Sequence, residues 1–276
     1  MQRAKNDLAL ALSLAALAGA LAAPPAMANA ETDPFGIEEI YETDSKDLEW
    51  HMEDEDPESA DHDFQFSFGT LKTIEDLDEV SDGVWKMDVT TGSQKHGIRM
   101  HVKGPDGEKW KDVEITGYFK LLESNDQITM IARHGESYHD DGGCKALGYY
   151  GMIDAKGNAF FKKKLYHSSG GYTDHVAEEK GAVDELEDEW IGVKFVVYNE
   201  DDNEVKLELW ADEGDEDNDW KKVAEYTDNG DLKINGDSKC DRDRDYVIDE
   251  AQDRVSFRLD DSEFEFKDLS VREIDP

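Results

Sequence analysis

Short stretches in which apolar and polar residues alternate fill the chain from Phe64 onward, and they limit the fold more than any other feature. Within each stretch the apolar residues share one parity, as Ile98, Met100 and Val102 do. Alternate side chains of a β-strand point to opposite faces, so this pattern predicts half-buried strands. The predicted strands are 64–68, 98–103, 113–121, 128–133, 160–167, 194–198, 205–210, 255–259 and 264–274.

Turn-forming residues separate the predicted strands, at 104–107, 154–158, 199–203 and 228–230. Short strands divided in this way are typical of an antiparallel β-sandwich or barrel. The alternating strand and helix patterns of a parallel α/β fold are missing from the sequence. One short helix is predicted, at Asp184–Glu189. The predicted fold class is therefore all-β.

The first thirty residues have the pattern of a secretory signal peptide. Arg3 and Lys5 precede an apolar segment at 8–23, and a small-residue cleavage site ends at Ala30. No second apolar run is long enough to span a bilayer, so membrane insertion is not predicted. We expect a protein secreted to the extracellular space, the periplasm or the cell envelope.

Residues 31–63 follow as a short acidic N-terminal extension. Within it, the tract 35–50 has mixed character and could pack as an arm or a short helix. Residues 64–276 then form the predicted β-sandwich domain.

The chain carries 68 Asp and Glu residues against 30 Lys and Arg residues, a formal net charge of −38. Self-repulsion of this size weakens the compact state at low salt and keeps the protein soluble at high salt, as on a halophilic surface. A chain without a basic face cannot release the counterions of nucleic acids or anionic membranes. We therefore predict neither as a partner, and the sequence carries no signal for an oligomeric state.

Cys144 and Cys240 are the two cysteines of the chain. An even count in an exported protein predicts one disulfide, because thiols oxidise outside the cytoplasm. Their spacing matches no zinc-site pattern, so we predict a structural cross-link.

Residues 127–175 differ from the acidic remainder of the chain. They hold six Lys and Arg residues against five Asp and Glu, together with four of the eight histidines and five of the ten tyrosines. A near-neutral stretch of cationic and phenolic residues in so acidic a protein indicates a surface that meets an anion.

Four phrases carry a resemblance to a known group of proteins. They are 110–120 (WKDVEITGYFK), 189–199 (EWIGVKFVVYN), 205–212 (VKLELWAD) and 266–274 (FKDLSVREI). In this order they resemble strands of the concanavalin A-like lectin and glucanase sandwiches. The resemblance covers roughly residues 64–274 and implies a jelly roll of two sheets, with a saccharide on the concave sheet.

Strand parity places cationic and phenolic residues on outward faces. If the apolar residues of the strands at 98–103, 128–133 and 160–167 face the core, seven other residues face outward. These are Arg99, His101, Lys103, Arg133, Lys162, Lys164 and Tyr166. On one concave sheet they would form a groove for a uronate-containing polysaccharide. The alternative is that they are ordinary solvated positions on three unrelated surfaces.

Three phrases also resemble motifs of the alginate-lyase-type polysaccharide lyases. Ile98-Arg-Met-His101 is similar to an Arg-(Thr/Ser)-Glu-Leu motif, with His101 in place of the Glu. Ala132-Arg-His134 keeps the His of a Gln-(Ile/Val)-His motif, and 194–198 loosely resembles a third motif with Lys and Tyr.

Such lyases neutralise a uronate carboxylate, remove the C5 proton and protonate the leaving oxygen. The resemblance therefore implies three roles. Arg99 and Arg133 would neutralise the carboxylate, His101 or His134 would be the base, and Tyr166 or Tyr172 the acid. Six further cationic or phenolic residues are predicted to bind the saccharide: Lys103, Tyr150, Lys162, Lys164, His167 and His175.

Three functions stay open at this stage. A carbohydrate-binding protein for an anionic polysaccharide is favoured, because no catalytic motif is intact. A polysaccharide lyase is the second, and a structural protein of the cell envelope the third. A glycoside hydrolase, which needs two positioned carboxylates, has only Glu185-Leu-Glu187-Asp-Glu189 as a comparable string.

No cofactor is predicted. The histidines at 134, 139, 167 and 175 lack the close paired spacing of a zinc site. Two acidic strings, 215–219 and 241–245, are compatible with a calcium ion bound by loops. Neither string has the glycine and the glutamate of an EF-hand loop.

Overall fold

The computed structural model describes residues 31–52, 64–68, 77–88, 97–124, 127–135, 140–214, 218–260 and 262–276. The predicted signal peptide, residues 53–63 of the acidic extension, and Asp215 and Asp217 of the first acidic string lie outside these ranges. No helix within the described ranges is long and apolar enough to cross a membrane.

The described residues form sixteen β-strands. They are β1 (Glu42–Thr43), β2 (Glu49–His51), β3 (Phe64–Phe68), β4 (Leu77–Ser81), β5 (Val84–Asp88), β6 (Gly97–Lys103), β7 (Val113–Ser124), β8 (Gln127–His134), β9 (Gly148–Asp154), β10 (Ala159–Lys164), β11 (Val176–Glu179), β12 (Trp190–Asp201), β13 (Glu204–Glu213), β14 (Lys221–Asp228), β15 (Arg254–Asp260) and β16 (Ser262–Asp275).

These strands make two sheets. The nine-stranded sheet has the order β14-β13-β12-β7-β16-β5-β4, with β1 and β2 also paired to β16. The seven-stranded sheet has the order β11-β10-β9-β8-β15-β6-β3. Every pairing between these strands is antiparallel. The predicted all-β antiparallel sandwich is therefore confirmed.

Aromatic rings join the inner faces of the two sheets. Phe119 of β7 meets Phe257 of β15 with ring centroids 6.2 Å apart, and Phe161 of β10 meets Phe195 of β12 at 6.1 Å. Gly151 of β9 leaves room for this contact, since a Cβ atom there would come within 2.6 Å of the Phe195 ring. The alternate residues of β6, β8, β9, β10 and β15 therefore lie on the outer face of the seven-stranded sheet.

Residues 31–52 pack against the nine-stranded sheet as an arm. β1 pairs with the end of β16 through Glu42 and Thr43, and β2 pairs further along the same strand. Ile37 and Trp50 are each 4% exposed, so the arm has its own apolar anchors. Of the two conformations predicted for the tract 35–50, the arm is the one that forms.

The predicted helix at Asp184–Glu189 is wrong. This segment is an extended connection whose amides bond to other parts of the chain rather than to a helical turn. Leu186 N donates to Ala155 O at 3.2 Å, and Asp188 N donates to Leu121 O at 2.8 Å. Tertiary partners outside the segment thus outweigh its helix propensity.

The predicted disulfide between Cys144 and Cys240 is present, with a Cα–Cα distance of 5.4 Å. It ties the loop that follows β14 to the segment that precedes β9. Both loops border the outer face of the seven-stranded sheet, which carries the candidate site.

Candidate functional site

A row of side chains crosses the outer face of the seven-stranded sheet, and strand register defines it. Arg258 of β15 is paired with Arg99 of β6 on one side and with Thr129 of β8 on the other. Thr129 is paired with Met152 of β9, which is paired with Phe160 of β10. We call these five residues the arginine row. Its ends differ in chemistry, with two guanidinium groups at one end and an aromatic ring at the other.

A cleft of about 700 Å³ opens above this row. Strands β8, β9, β10 and β15 form its floor, and the segments around 169–175 and 235 form its wall. It is lined by Gln127, Tyr150, Met152, Lys162, Ser169, Tyr172, Thr173, Asp174, His175, Asn235 and Arg258. Four of these, Tyr150, Lys162, Tyr172 and His175, are residues that the sequence predicted for the site.

Lys164 lies fully buried on this outer face. Its Nζ atom is 5.1 Å from the centre of the Tyr172 ring and 3.3 Å from His167 Nδ1. Burial, followed by the positive charges of Arg99 and Arg258, lowers the pKa of Lys164 to about 7. Three cationic groups from three strands are therefore close enough to perturb one another.

Tyr172 faces the same cationic groups. Burial raises the pKa of its phenol, while Arg258 and Arg99 act in the opposite direction. Its ring meets that of Tyr150 edge to face, with centroids 6.3 Å apart. Tyr172 forms an isolated β-bridge with Lys164, so the backbone of Tyr172 lies beside the end of β10.

The wall of the cleft depends on close contact between two loops. Asn235 N donates to Tyr172 O at 2.8 Å, and Gly236 N donates to Gly170 O at 2.7 Å. A Cβ atom on Gly236 would lie 2.6 Å from the Tyr166 hydroxyl. Only glycine fits at this position. Because Gly236 has no side chain, the two loops can approach closely, and the neighbouring Asn235 reaches the cleft.

A serine joins two histidines on the same face. Ser256 Oγ lies 2.6 Å from His101 Nδ1 and 2.6 Å from His134 Nδ1. One hydroxyl can donate to only one ring nitrogen, so the two neutral rings must adopt different Nδ1 tautomers. Burial lowers the pKa of both histidines well below the ordinary value, and the nearby charge of Arg254 acts in the same direction.

The other end of the cleft is acidic. His175 stacks on Phe160 with ring centroids 4.1 Å apart and planes inclined by 20°. Burial and then Lys162 lower the pKa of His175, whereas Glu178, Asp174 and Asp154 raise it. Asp174 Oδ1 also accepts a hydrogen bond from Asn235 Nδ2 at 3.0 Å. Three carboxylates are thus close enough to His175 to influence its pKa.

Arg133 does not face outward, so the prediction from strand parity was wrong. It has a φ of 48° at an irregularity in the β8–β15 register, which turns its side chain into the interior. Its guanidinium donates to Lys111 O at 3.0 Å and to Asp112 Oδ1 at 2.9 Å. The Arg133 side chain is fully buried, and its hydrogen bonds stabilise the interior of the sandwich. It does not line the cleft.

Tyr166 also departs from the parity prediction. Strand β10 ends at Lys164, so the alternation does not extend to this residue. Tyr166 is 4% exposed within the main apolar core, and its hydroxyl donates to Asp237 O at 3.0 Å. It supports the wall of the cleft from beneath.

The remaining predicted residues lie where parity placed them. Arg99, His101 and Lys103 share the outer face of β6, opposite the buried Met100 and Val102. Lys103 is exposed and His101 is buried beneath its neighbours. Strand parity therefore predicted the outward-facing cationic residues correctly for β6 and β10 but not for β8.

Sequence reasoning missed Arg258, Asp174 and Asn235. The signal for Arg258 was available, because Val255, Phe257 and Leu259 alternate and the sequence predicts a strand there. Asp174 and Asn235 lie in loops, where no periodicity indicates a direction. Only the contact between the two loops brings them together.

Among the described residues, no group of three or more His, Cys, Asp or Glu side chains could hold a metal ion. The acidic string 241–245, one of the two compatible with a bound calcium ion, lies within the described part of the chain, so this finding covers it.

Comparisons with known proteins give fold neighbours alone. No protein-family model matches the chain, and no curated protein matches it. A protein of unknown function with a galectin-like fold from Bacillus subtilis shares 12% identity at a TM-score of 0.46, over 76% of this chain and 89% of that one.

Two further solved structures are similar. The carbohydrate binding module CBM66 from Bacillus subtilis shares 11% identity at a TM-score of 0.39, over 69% of this chain and 96% of that one. The alginate lyase Aly36B shares 11% identity at a TM-score of 0.41, over 75% of this chain and 87% of that one. At such scores these structures carry no argument about function, and the fold rests on the two sheets described above.

Proposed function

We propose that the outer face of the seven-stranded sheet binds an anionic polysaccharide, with uronate carboxylates as the recognised groups. The observation that carries this proposal is that Arg258, which lines the cleft, lies close to Arg99 and to the buried Lys164, in a chain with a net charge of −38. Burial, followed by the charges of Arg99 and Arg258, lowers the pKa of Lys164, and a bound carboxylate would offset the repulsion between these cations.

The cleft has the chemical groups that bind sugars. Tyr172 offers a partly exposed ring and hydroxyl, with the buried Tyr150 packed against it edge to face. Gln127 and Asn235 offer amides at the rim. Guanidinium groups bind carboxylates through two parallel hydrogen bonds. Arg258 already binds Asp260 in this way, through its Nε and Nη2 atoms, so a uronate carboxylate beside Arg99 would share Arg258 with Asp260 or displace that carboxylate. The Cys144–Cys240 disulfide is typical of oxidising compartments and supports the secreted location predicted from the sequence.

Binding of oligouronates by calorimetry tests the proposal. Arg258→Gln and Arg99→Gln should each weaken binding about tenfold to a hundredfold, the range for losing a hydrogen bond to a charged group. Lys221→Gln removes the same charge from exposed β14 of the other sheet and should leave the affinity unchanged. Absence of binding by the wild-type protein at any salt concentration would leave the envelope scaffold as the function.

A polysaccharide lyase is the second candidate, and the position of Lys164 beside Tyr172 favours it. In β-elimination a base takes the C5 proton, the C5 electrons form the C4=C5 double bond, and the leaving oxygen accepts a proton from an acid. Lys164, with a pKa of about 7, can be a neutral base at neutral pH. Its side chain is fully buried, so the side chains that cover it must move before the amine reaches the C5 proton. Tyr172 then supplies the proton, while Arg99 and Arg258 stabilise the carboxylate. Arg133 and Tyr166 have no part in this assignment.

The ultraviolet absorbance of the unsaturated product separates the two candidates. A lyase generates this absorbance from alginate, glucuronan or pectin, and Lys164→Ala and Tyr172→Phe each abolish it. Binding without any absorbance change would assign the protein as a non-catalytic binding module. Each assay is run at low and high salt, because the acidic chain repels itself at low ionic strength.

A further inference from the structure

The first part of the N-terminal arm carries negative charge alone. Residues 31–45, which we call the strap, hold six Asp and Glu residues and no Lys or Arg, in a chain whose formal net charge is −38. The strap lies on the outer face of the nine-stranded sheet, where it contacts Glu114 of β7 and Glu208 of β13. Like charges on the strap and on the body of the protein therefore oppose their contact.

The strap is attached to this face mainly by polar contacts. Ile40 N donates to Glu114 Oε2 at 3.1 Å, and the Tyr41 hydroxyl donates to Glu208 Oε2 at 3.1 Å. Both acceptors are carboxylates of the sheet. Within the strap, all of which the structure describes, Ile37 is the one buried apolar side chain. Little apolar burial thus offsets the repulsion between the carboxylates.

One cation pairs with the strap, and the sheet shares it. Arg272 Nη1 lies 3.2 Å from Glu39 Oε2, and this is the ion pair that the strap makes with the described residues. The same guanidinium donates to Glu114 Oε2 at 2.8 Å through Nη2. Lys194 Nζ lies 2.7 Å from Glu114 Oε1. The cations of the sheet therefore keep a carboxylate partner when the strap leaves.

Other carboxylates crowd this ion pair. Thr43 Oγ1 lies 3.1 Å from Glu49 Oε1 and 3.5 Å from Glu39 Oε2, so two carboxylates share one hydroxyl. Burial raises the pKa of Glu39, and after the opposing effect of its partner guanidinium the carboxylates Glu114 and Glu49 raise it further. The docked strap thus holds Glu39 close to like charges.

The second part of the arm is attached more firmly. Trp50 and Met52 belong to the main apolar core. Strand β2 pairs with β16 through residues 49–51. The strap can therefore leave the sheet while residues 49–52 stay in place.

Salt sets the range over which the strap carboxylates interact with other charges. The Debye length is about 10 Å at 0.1 M and about 3 Å at 1 M ionic strength. At 0.1 M each carboxylate of the strap interacts with charges on several neighbouring strands. In molar salt only groups in direct contact, such as Glu39 and Arg272, interact strongly.

We infer that the strap is a switch controlled by ionic strength, which lies on the nine-stranded sheet in molar salt and releases from it at low salt while the sandwich stays folded. Release uncovers Glu114, Glu208 and Arg272, which are buried when the strap is docked. This inference does not depend on the proposed function, because the strap and the cleft lie on opposite sheets.

Hydrogen–deuterium exchange read by mass spectrometry tests the inference, in about 0.1 M and about 3 M KCl. Rates of the strap peptide are divided by those of a synthetic peptide of the same sequence at the same salt concentration. The strap of the wild-type protein should exchange about tenfold or more faster at the lower salt, the effect of several weak charge contacts acting together. The peptide that covers β12 should keep its protection at both concentrations.

A pair of charge-matched variants identifies the charges responsible. Glu31→Gln/Glu42→Gln removes two exposed carboxylates from the strap and should slow its exchange at the lower salt by about twofold to tenfold. Glu178→Gln/Glu179→Gln removes the same charge from exposed positions of β11, in the other sheet. Because the Debye length at 0.1 M is about 10 Å, this control should change the exchange of the strap by less than about twofold.

Three results would overturn the inference. Equal exchange of the strap at both salt concentrations would show that salt does not control its docking. Loss of protection in β12 together with the strap would show unfolding of the whole sandwich instead of release. An equal effect of the two double variants would assign the salt dependence to overall net charge. Oligouronate binding, which tests the proposed function, bears on none of these results.

Discussion

Lys163 Nζ lies 2.7 Å from Asp228 Oδ2, and both side chains are completely shielded from solvent. The pair joins β10 of the seven-stranded sheet to the end of β14 of the nine-stranded sheet. Tyr149 donates a second hydrogen bond to the same Asp228 oxygen at 2.7 Å. Because Lys163 points inward, Lys162 and Lys164 on either side of it point to the outer face, where the cleft lies.

Removing one partner of this buried pair should destabilise the protein strongly. We expect Lys163→Met to lower the free energy of unfolding by about 3–5 kcal/mol, because it leaves the Asp228 carboxylate buried without its cation. The double variant Lys163→Met/Asp228→Asn should lose less, since Asn keeps an acceptor for Tyr149 and carries no charge. Urea unfolding at high salt measures both. A double variant that loses at least as much as Lys163→Met would contradict this account.

Lys164 should make stability increase with pH above neutrality. Burial, followed by the charges of Arg99 and Arg258, holds its pKa at about 7, below the ordinary lysine value of 10.5. Between these two values the unfolded chain binds more protons than the folded one, so the free energy of unfolding rises with pH. The slope from one group is at most about 1.4 kcal/mol per pH unit. Unfolding from pH 7 to 10 should show a smaller slope in Lys164→Met, and the exposed control Lys221→Met should keep the wild-type slope.

The two histidines bonded to Ser256 should make the protein sensitive to acid. Burial lowers the pKa of His101 and His134 well below 6.5 in the folded chain. The unfolded chain therefore takes up protons first, and stability falls as pH drops below about 6.5. His101→Gln/His134→Gln should flatten this dependence in thermal unfolding between pH 7 and 5. An unchanged acid dependence would show that other groups control it.

Anion binding at the cationic end should draw a proton into the protein. A carboxylate beside Lys164 raises the pKa of that amine above about 7, so the amine takes up a proton when the ligand binds near pH 7.5. Calorimetric titration in two buffers with different ionisation enthalpies measures this uptake. It should disappear in Lys164→Met. Uptake that persists in that variant would assign the proton to another group.

The disulfide should contribute substantially to stability. Cys144 and Cys240 are separated by 96 positions, and for a loop of this length the chain-entropy model gives roughly 4–5 kcal/mol as an upper figure. Cys144→Ala/Cys240→Ala should lower the free energy of unfolding towards that amount, and reduction of the wild-type protein should match it. The loop after β14 carries Asn235, so the same variant should also weaken oligouronate binding. Equal oligouronate affinity in the wild-type protein and the double variant would show that the loop after β14 keeps its position without the disulfide.

Much of the sandwich followed from local pattern. Alternation predicted β3, β6, β7, β8, β10, β12, β13, β15 and β16, because one face of each strand is apolar and the other is polar. It failed at Arg133, where an irregularity shifts the parity, and at Tyr166, which lies beyond the end of β10. It also missed β1, β2, β4, β5, β9, β11 and β14.

The sequence by itself determined the class of fold, the cysteine pairing and the outward direction of Arg99, His101 and Lys164, since these depend on parity or on counting. Tertiary structure alone decided which strands became neighbours, and hence that Arg258 joins Arg99 while Asp174 and Asn235 meet across two loops. Strand order and loop contacts are set by the packing of residues distant in the chain. A local period of two carries no information about them.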